Sequence, residues 1–192
     1  MSLAERLRSS LEMTERARLL PGDDVHGVGP QTAAAVLIAV TERPQPGVIL
    51  TVRRPDMRTH GGQVAFPGGR VDPGESAAEA AVREAWEELG IPPDTVDVAG
   101  EMPTYRTVTG FAVAPVLAVI PPDLPLAPHE HEVADWFEAP LSYLLDPINH
   151  RRERVLFEGR ERHYYRIDWN ERNIWGATAA MLVNLSRRLE WS

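Results

Sequence analysis

The chain has 192 residues, 43% hydrophobic and 25% charged, the size and balance of a single globular domain (1–192) with its own core. Cysteine is absent and all 20 basic residues are arginine, which excludes disulfides, thiolate nucleophiles, zinc–thiolate centres and lysine chemistry. A net charge of −8 argues against general nucleic-acid binding, although an acidic protein still accepts an anionic substrate where metal ions and a local basic patch stand between them.

No apolar run approaches the ~20 residues of a membrane helix. Met1 to Leu20 alternates charged and apolar residues and lacks a secretory apolar segment. The expectation is a cytoplasmic protein without a membrane partner. Leu3, Leu7, Leu11, Leu19 and Leu20 recur at roughly helical spacing and predict a surface helix over 3–20, ended by Pro21-Gly22-Asp23-Asp24. Residues 32–41 and 47–53 predict two strands, a hairpin across the Arg43-Pro44-Gln45-Pro46-Gly47 turn. Residues 96–106 and 110–120 predict two more, and Pro121 to Pro128 is a proline-rich loop. A short strand over 132–138, a helical turn or two over 141–145 and a hairpin over 153–167 around Glu158-Gly159 follow. Ile174, Thr178, Met181, Leu182, Leu185 and Leu189 share one face and predict a final helix over 174–190. Strands with helices in the middle and at both ends predict an α/β sandwich around a mixed sheet, its core spanning about residues 30–160.

The most informative stretch is Gly68-Gly69-Arg70-Val71-Asp72-Pro73-Gly74-Glu75-Ser76 and the segment to Ile91. Ser76 and Glu79 have capping-box spacing, alanines favour the helix that follows, and Gly90 before Ile91-Pro92-Pro93 stops it. Ala78, Ala81, Val82, Ala85 and Leu89 form one narrow face that suits close packing on a sheet. Glu84, Glu87 and Glu88 fall on another face, at i, i+3 and i+4. Like charges at that spacing repel by a few tenths of a kcal/mol per pair, and the helix dipole disfavours anions near a C-terminal end. A divalent cation between them reverses both penalties, and oxygen-only ligands suit Mg²⁺ or Mn²⁺. A solvated glutamate face is the bland alternative. The glycines at 68, 69 and 74 can take positive φ and let backbone N–H groups approach phosphate oxygens.

Gly69, five residues, Glu75, seven residues, then Arg83-Glu84-Ala85-x-Glu87-Glu88-x-Gly90-Ile91 resembles the Nudix box, with every fixed position filled and alanine at 85 where a larger aliphatic residue is usual. Ile49-Leu50-Thr51-Val52-Arg53-Arg54-Pro55-Asp56-Met57-Arg58-Thr59-His60-Gly61-Gly62-Gln63-Val64-Ala65-Phe66-Pro67 leads into it and resembles the signature of the coenzyme A pyrophosphatase subfamily. Ile49, Arg54 and Met57 depart from that signature, Arg54 alone non-conservatively. Weaker echoes are Glu132-Val133-Ala134 and Ile174-Trp175-Gly176-x-Thr178-Ala179. The resemblance implies an α/β/α sandwich with a mixed sheet and a loop–helix–loop catalytic motif. It implies metal-dependent hydrolysis of coenzyme A and its derivatives at the pyrophosphate, giving 3′,5′-ADP and 4′-phosphopantetheine.

On that resemblance, Glu84 and Glu88 share a metal ion and Glu87 holds a second ion or its water, while Arg83 pairs with Glu75 to fix the loop on the helix. Glu130 and Glu132 are candidates for a further ligand or plain loop acids, and the general base stays open. Arg53, Arg58 and His60, with Gly68 and Gly69, are the expected substrate contacts; Arg54 points away from Arg53 if the segment is a strand. His129 and His131 lack metal-ligand spacing. The arginine-rich stretch 151–172 reads as a solvated hairpin, and Trp169 and Trp175 as core or dimer contacts, a homodimer being compatible with the family. Two other readings are a broader nucleoside-diphosphate-X diphosphatase acting on NADH or ADP-ribose, and a non-catalytic metabolite-binding module.

Overall fold

A computed structural model describes residues 1–13, 18–23, 31–56, 61–157 and 159–189. Helix α1 (Leu3–Met13) buries Leu3, Leu7 and Leu11, one stripe at i, i+4 and i+8. Residues 18–20 are not helical, so the expected 3–20 helix is too long; 14–17 lie outside the described residues. Leu20 is held instead by Asn184: its N–H donates to Asn184 Oδ1 (2.7 Å) and its carbonyl accepts from Nδ2 (2.9 Å).

Strand β1 (Thr32–Thr41) is apolar almost throughout because both its faces are covered. Ala35, Leu37 and Ala39 face one core, and Ala34, Ile38 and Val40 the other. Strand β2 (Gly47–Arg53) follows by the expected antiparallel turn, with Val40 opposite Val48. Strands β3 (Val64–Ala65) and β4 (Gly68–Arg70) were not expected, and they shape the site. Val48 is flanked by Val40 of β1 and Ala139, and Thr51 by Ala65 and Trp136, so β1 and β3 share one edge of β2. β4 then pairs with the start of β1, from Ala34 opposite Arg70 to Val36 opposite Gly68. Segment 64–70 is therefore a wedge between β1 and β2 where they splay, and at the crossover Leu37 N–H donates to the Pro67 carbonyl at 2.8 Å.

Helix α2 (Ala77–Leu89) comes next, followed by β5 (Asp97–Glu101), β6 (Tyr105–Arg106) and β7 (Phe111–Ile120). The expected strand over 96–106 is thus two short ones. β7 runs parallel to β1 along its whole length. Strand β8 (Val133–Pro140) lines β2, and α3 (Leu141–Leu145) is the expected short helix. The main sheet is mixed, β3-β2-β1-β7-β5 along its path, with β4, β6 and β8 attached. α2 covers one face; α1, α3 and the last helix cover the other. This is the α/β/α sandwich the sequence leads one to expect.

The C-terminal part differs from expectation. The hairpin β9 (Arg151–Phe157) and β10 (Arg160–Trp169) gains a third strand, β11 (Arg172–Trp175). Ile174 belongs to that strand, opposite Ile167, and α4 (Gly176–Leu189) starts only after Gly176 takes φ 63°. Trp169 packs on the core and meets Tyr143 with ring centroids 4.7 Å apart and planes tilted by 59°, whereas Trp175 is exposed. Among the described residues no helix is long and apolar enough to cross a membrane.

Candidate active site

Helix α2 is built as its sequence dictates. Ser76 Oγ accepts from Glu79 N–H (3.2 Å) while Glu79 Oε2 accepts from Ser76 N–H (2.8 Å), closing the capping box. At the other end Gly90 is left-handed (φ 70°) and its N–H reaches the Ala85 and Trp86 carbonyls. Loop 121–132 folds back over this end: Ala127 N–H donates to Leu89 O and His129 N–H to Glu88 O, both at 2.8 Å. The C-terminal carbonyls that would repel the glutamates are thereby occupied.

The helix buries Ala81, Ala85 and Leu89 against β1 and β7, and this small-residue face sets Glu84 and Glu88 close to β4. Gly68 and Gly69 do not adopt positive φ; they are extended residues of β4. What they supply is space. A Cβ on Gly68 would lie 2.3 Å from the Ala35 carbonyl oxygen, and one on Gly69 2.4 Å from the Glu84 carboxylate. Gly74 is the one in the loop that needs its freedom, at φ 88°.

Arg83 organises the carboxylates. Its Nε donates to Glu75 Oε1 (2.9 Å) and Nη2 to Glu75 Oε2 (3.1 Å) and the Arg70 carbonyl (3.0 Å). Its Nη1 reaches Glu84 Oε1 at 2.9 Å and Glu87 Oε2 at 3.3 Å, contacts not expected from the sequence. Glu75 is held below the ordinary carboxylate range by Arg83 and by the Asp72 N–H, and Arg83 is held more firmly protonated, chiefly by Glu75.

Glu88 is the opposite case. It is buried, 4% exposed, on the same side as Arg53 of β2. Its carboxyl is raised to about 8, first by burial and with Glu132 and Glu84 adding to the rise, against the pull of Arg53 and the Gly68 N–H. Glu84 is also raised, first by burial, against the pull of Arg83, with Glu87 and Glu132 adding to the rise. Glu132 therefore acts electrostatically on both, although it is exposed. It stands where β8 begins, with its carbonyl accepting from Arg54 N–H at 3.1 Å.

Arg53 ends β2, and its buried Nε has no hydrogen-bond partner among the described residues. Arg54 turns to Asp56, with two contacts of 2.8 Å, and to the Glu130 carbonyl. It braces the loop after β2 against the loop before β8, a role the sequence departure at 54 did not reveal. Arg58 and His60 lie outside the described residues. His129 and His131 are exposed and stack edge to face at 5.4 Å. Glu130 contributes only its carbonyl among the contacts above.

Among the described residues no three Asp, Glu or His side chains stand together at ligand spacing, and Arg83 holds both Glu84 and Glu87 by its Nη1. The chemistry of the donors nevertheless suits a hard divalent cation. Glu84, Glu88 and Glu132 offer oxygen alone, and a buried carboxylate raised by its acidic neighbours is relieved by positive charge.

Residues 30–161, more than half of the chain, match the family described as the NUDIX domain. The chain is 44% identical over 158 residues to the protein named "Uncharacterized Nudix hydrolase NudL" of Escherichia coli (strain SMS-3-5 / SECEC), covering 81% of this chain and 82% of that one. It is 44% identical over 176 residues to the protein of the same name in Salmonella paratyphi B (strain ATCC BAA-1250 / SPB7), covering 91% of both. Among solved structures it resembles a Nudix hydrolase from M. smegmatis, RenU, with TM-score 0.52 and 26% identity over 62% of this chain and 76% of that one. With its box helix, its carboxylates and the fold around them, the chain belongs to the Nudix hydrolase family.

Proposed function

We propose that the chain hydrolyses coenzyme A and its derivatives at the pyrophosphate, giving 3′,5′-ADP and 4′-phosphopantetheine, with Mg²⁺ or Mn²⁺. The observation that carries this reading is the run from Ile49 to Pro67, which matches the coenzyme A pyrophosphatase signature and ends on the glycines beneath Glu84 and Glu88.

Glu84, Glu88 and Glu132 would hold the cation, with Glu87 beside them. When bound, the ion supplies charge neutralisation for the diphosphate and a more acidic water. The remaining work falls to the chain. Arg53 places a permanently charged guanidinium beside Glu88 with an unused donor, suited to a phosphate oxygen. The wedge at 64–70 brings the diphosphate close to backbone, since neither Gly68 nor Gly69 leaves room for a side chain. Arg83, locked to Glu75, fixes the orientation of Glu84 and so acts as a positioning residue. Arg58 and His60 belong to the same signature and are assigned to the nucleotide end of the substrate.

The test is product identification with coenzyme A in ¹⁸O-water with Mg²⁺ or Mn²⁺. The expected products are 3′,5′-ADP and 4′-phosphopantetheine, one carrying the label. A kcat/KM for ADP-ribose above that for coenzyme A assigns the chain a broader diphosphatase role, and no metal-dependent hydrolysis of either overturns the enzymatic reading.

A further inference from the structure

The wedge at 64–70 enters the site through β3, which is only two residues long, with Val64 opposite Val52 and Ala65 opposite Thr51. So short a ladder offers few backbone bonds against the entropy of ordering the segment. Its carbonyls are held one by one. The Gln63 carbonyl accepts from Arg53 N–H (3.0 Å), the Ala65 carbonyl from the Thr51 hydroxyl (3.1 Å) and the Pro67 carbonyl from Leu37 N–H (2.8 Å). Those donors belong to β1 and β2, the strands between which the wedge lies. The Val64 carbonyl accepts from the Thr178 hydroxyl at 3.1 Å, a donor 114 positions away on α4.

Thr178 stands there at a local cost. It lies in the first turn of α4 among Ala177, Ala179 and Ala180, and a β-branched residue forms helix less readily than alanine. The helix around it is firmly placed: Ala179, Leu182 and Leu185 are fully buried, and Ile174 just before the helix is paired with Ile167 of β10. The buried hydroxyl is therefore a fixed point outside the main sheet, set against the segment that needs one.

The residues on either side of Val64 belong to the substrate side of the site. One and two positions earlier, the Gln63 carbonyl and the Gly62 N–H clasp the Arg53 backbone, each at 3.0 Å. Along the other edge of β2 the pairing with β8 shifts register between Val52 and Arg53, an irregularity that turns a strand end and re-aims its side chain. The clasp from the β3 side thus fixes where Arg53 points. Gly68 and Gly69 follow four and five positions after Val64. The α2 carboxylates are held separately, by the grip of Arg83 on Glu75 and Glu84.

We infer, on the diphosphatase role proposed above, that Thr178 is a positioning residue for substrate binding: its hydroxyl holds the Val64 carbonyl and so sets Arg53 and the glycine wedge. The test is steady-state kinetics of the full chain in saturating Mg²⁺, on whichever of coenzyme A and ADP-ribose the wild type hydrolyses better, with circular dichroism to check each variant. Thr178→Val keeps the shape and removes the donor, and should raise KM at least about fivefold with kcat within about twofold of the wild type, the pattern of lost binding with the carboxylates intact. Thr178→Ala, which restores helix propensity, should show the same rise, and Thr178→Ser, which keeps the hydroxyl, should return KM to within about twofold of the wild type. Asn184→Ala weakens the same helix away from the wedge and should leave KM unchanged. An unchanged KM in Thr178→Val and Thr178→Ala overturns the assignment, as does Thr178→Ser behaving like Thr178→Val, a fall in kcat alone, or an equal rise in KM for Asn184→Ala. Preference for ADP-ribose overturns the coenzyme A reading and leaves these outcomes to decide on Thr178; a wild type that hydrolyses neither overturns both.

Discussion

The Glu84 carboxylate lies so close to the Gly69 backbone that a Cβ at position 69 would fall 2.4 Å from its Cδ and Oε1. The neighbouring Gly68 is crowded by backbone instead, 2.3 Å from the Ala35 carbonyl oxygen and 2.7 Å from the Val36 Cα. The two glycines should therefore fail differently. Gly69→Ala displaces the end of a flexible side chain, so stability changes little while the carboxylate is misplaced, and kcat falls by roughly tenfold to a hundredfold. Gly68→Ala forces strands apart and costs about 1–3 kcal/mol of stability. Thermal denaturation and turnover measured on both variants check this; an equal loss of stability in the two contradicts it.

Arg83 makes five donations to Glu75, Glu84, Glu87 and the Arg70 carbonyl. An ammonium group cannot reproduce the planar fork that grips Glu75 with Nε and Nη2 at once. Arg83→Lys is expected to lower kcat more than it changes KM and to cost about 1–3 kcal/mol of stability. Steady-state kinetics beside a denaturant titration decide it, and a change in KM alone would show that Arg83 contacts substrate instead.

Glu88 gives the metal-free protein a pH dependence. The folded chain keeps its proton up to about pH 8, while an ordinary carboxylate releases it near 4.5. Between these values the folded state binds the additional proton, so stability is greatest at the acid side of the window and falls as pH rises through it. A bound divalent ion favours the ionised carboxylate and opposes that fall. The measurement is melting temperature against pH in chelator and in MnCl₂, and Glu88→Gln should flatten the slope in chelator.

Asn184 is buried, 4% exposed, and its amide is the anchor for Leu20. Asn184→Ala leaves two backbone groups without partners, at a cost of about 1–3 kcal/mol. The melting temperature should drop by roughly 2–4 °C per kcal/mol, with kcat at 25 °C unchanged. A loss of turnover without a loss of stability would mean that the segment serves the site directly.

Much of this was legible in the residues. β1, β2 and β7 announce themselves as apolar runs because both sheet faces are covered, and α2 carries its own start and stop signals in Ser76, Glu79 and Gly90. β3 and β4 were not, since Val64 to Arg70 is too short, and too rich in glycine and proline, to show a period of two. Ile174 satisfies the spacing of α4 and also that of a strand opposite Ile167, and only the turn at Asn170 and Gly176 separates the two. Leu19 and Leu20 continue a helical pattern, but Asn184, 164 positions away, claims the Leu20 backbone. In the site, the spacing of Glu84, Glu87 and Glu88 was visible, while the pull of Arg83 on two of them depends on how the side chains turn. The influence of Glu132 depends on a loop that returns to the helix end through Ala127 and His129, a long-range relation without local signature.

The central claim is that the α2 carboxylates drive hydrolysis of a diphosphate with a divalent ion. Mg²⁺-dependent turnover of coenzyme A by Glu84→Gln and Glu88→Gln, each first checked for native folding, tests it most directly. The expected result is a loss of at least about two orders of magnitude in kcat for each. Turnover near that of the wild type in either variant would contradict it.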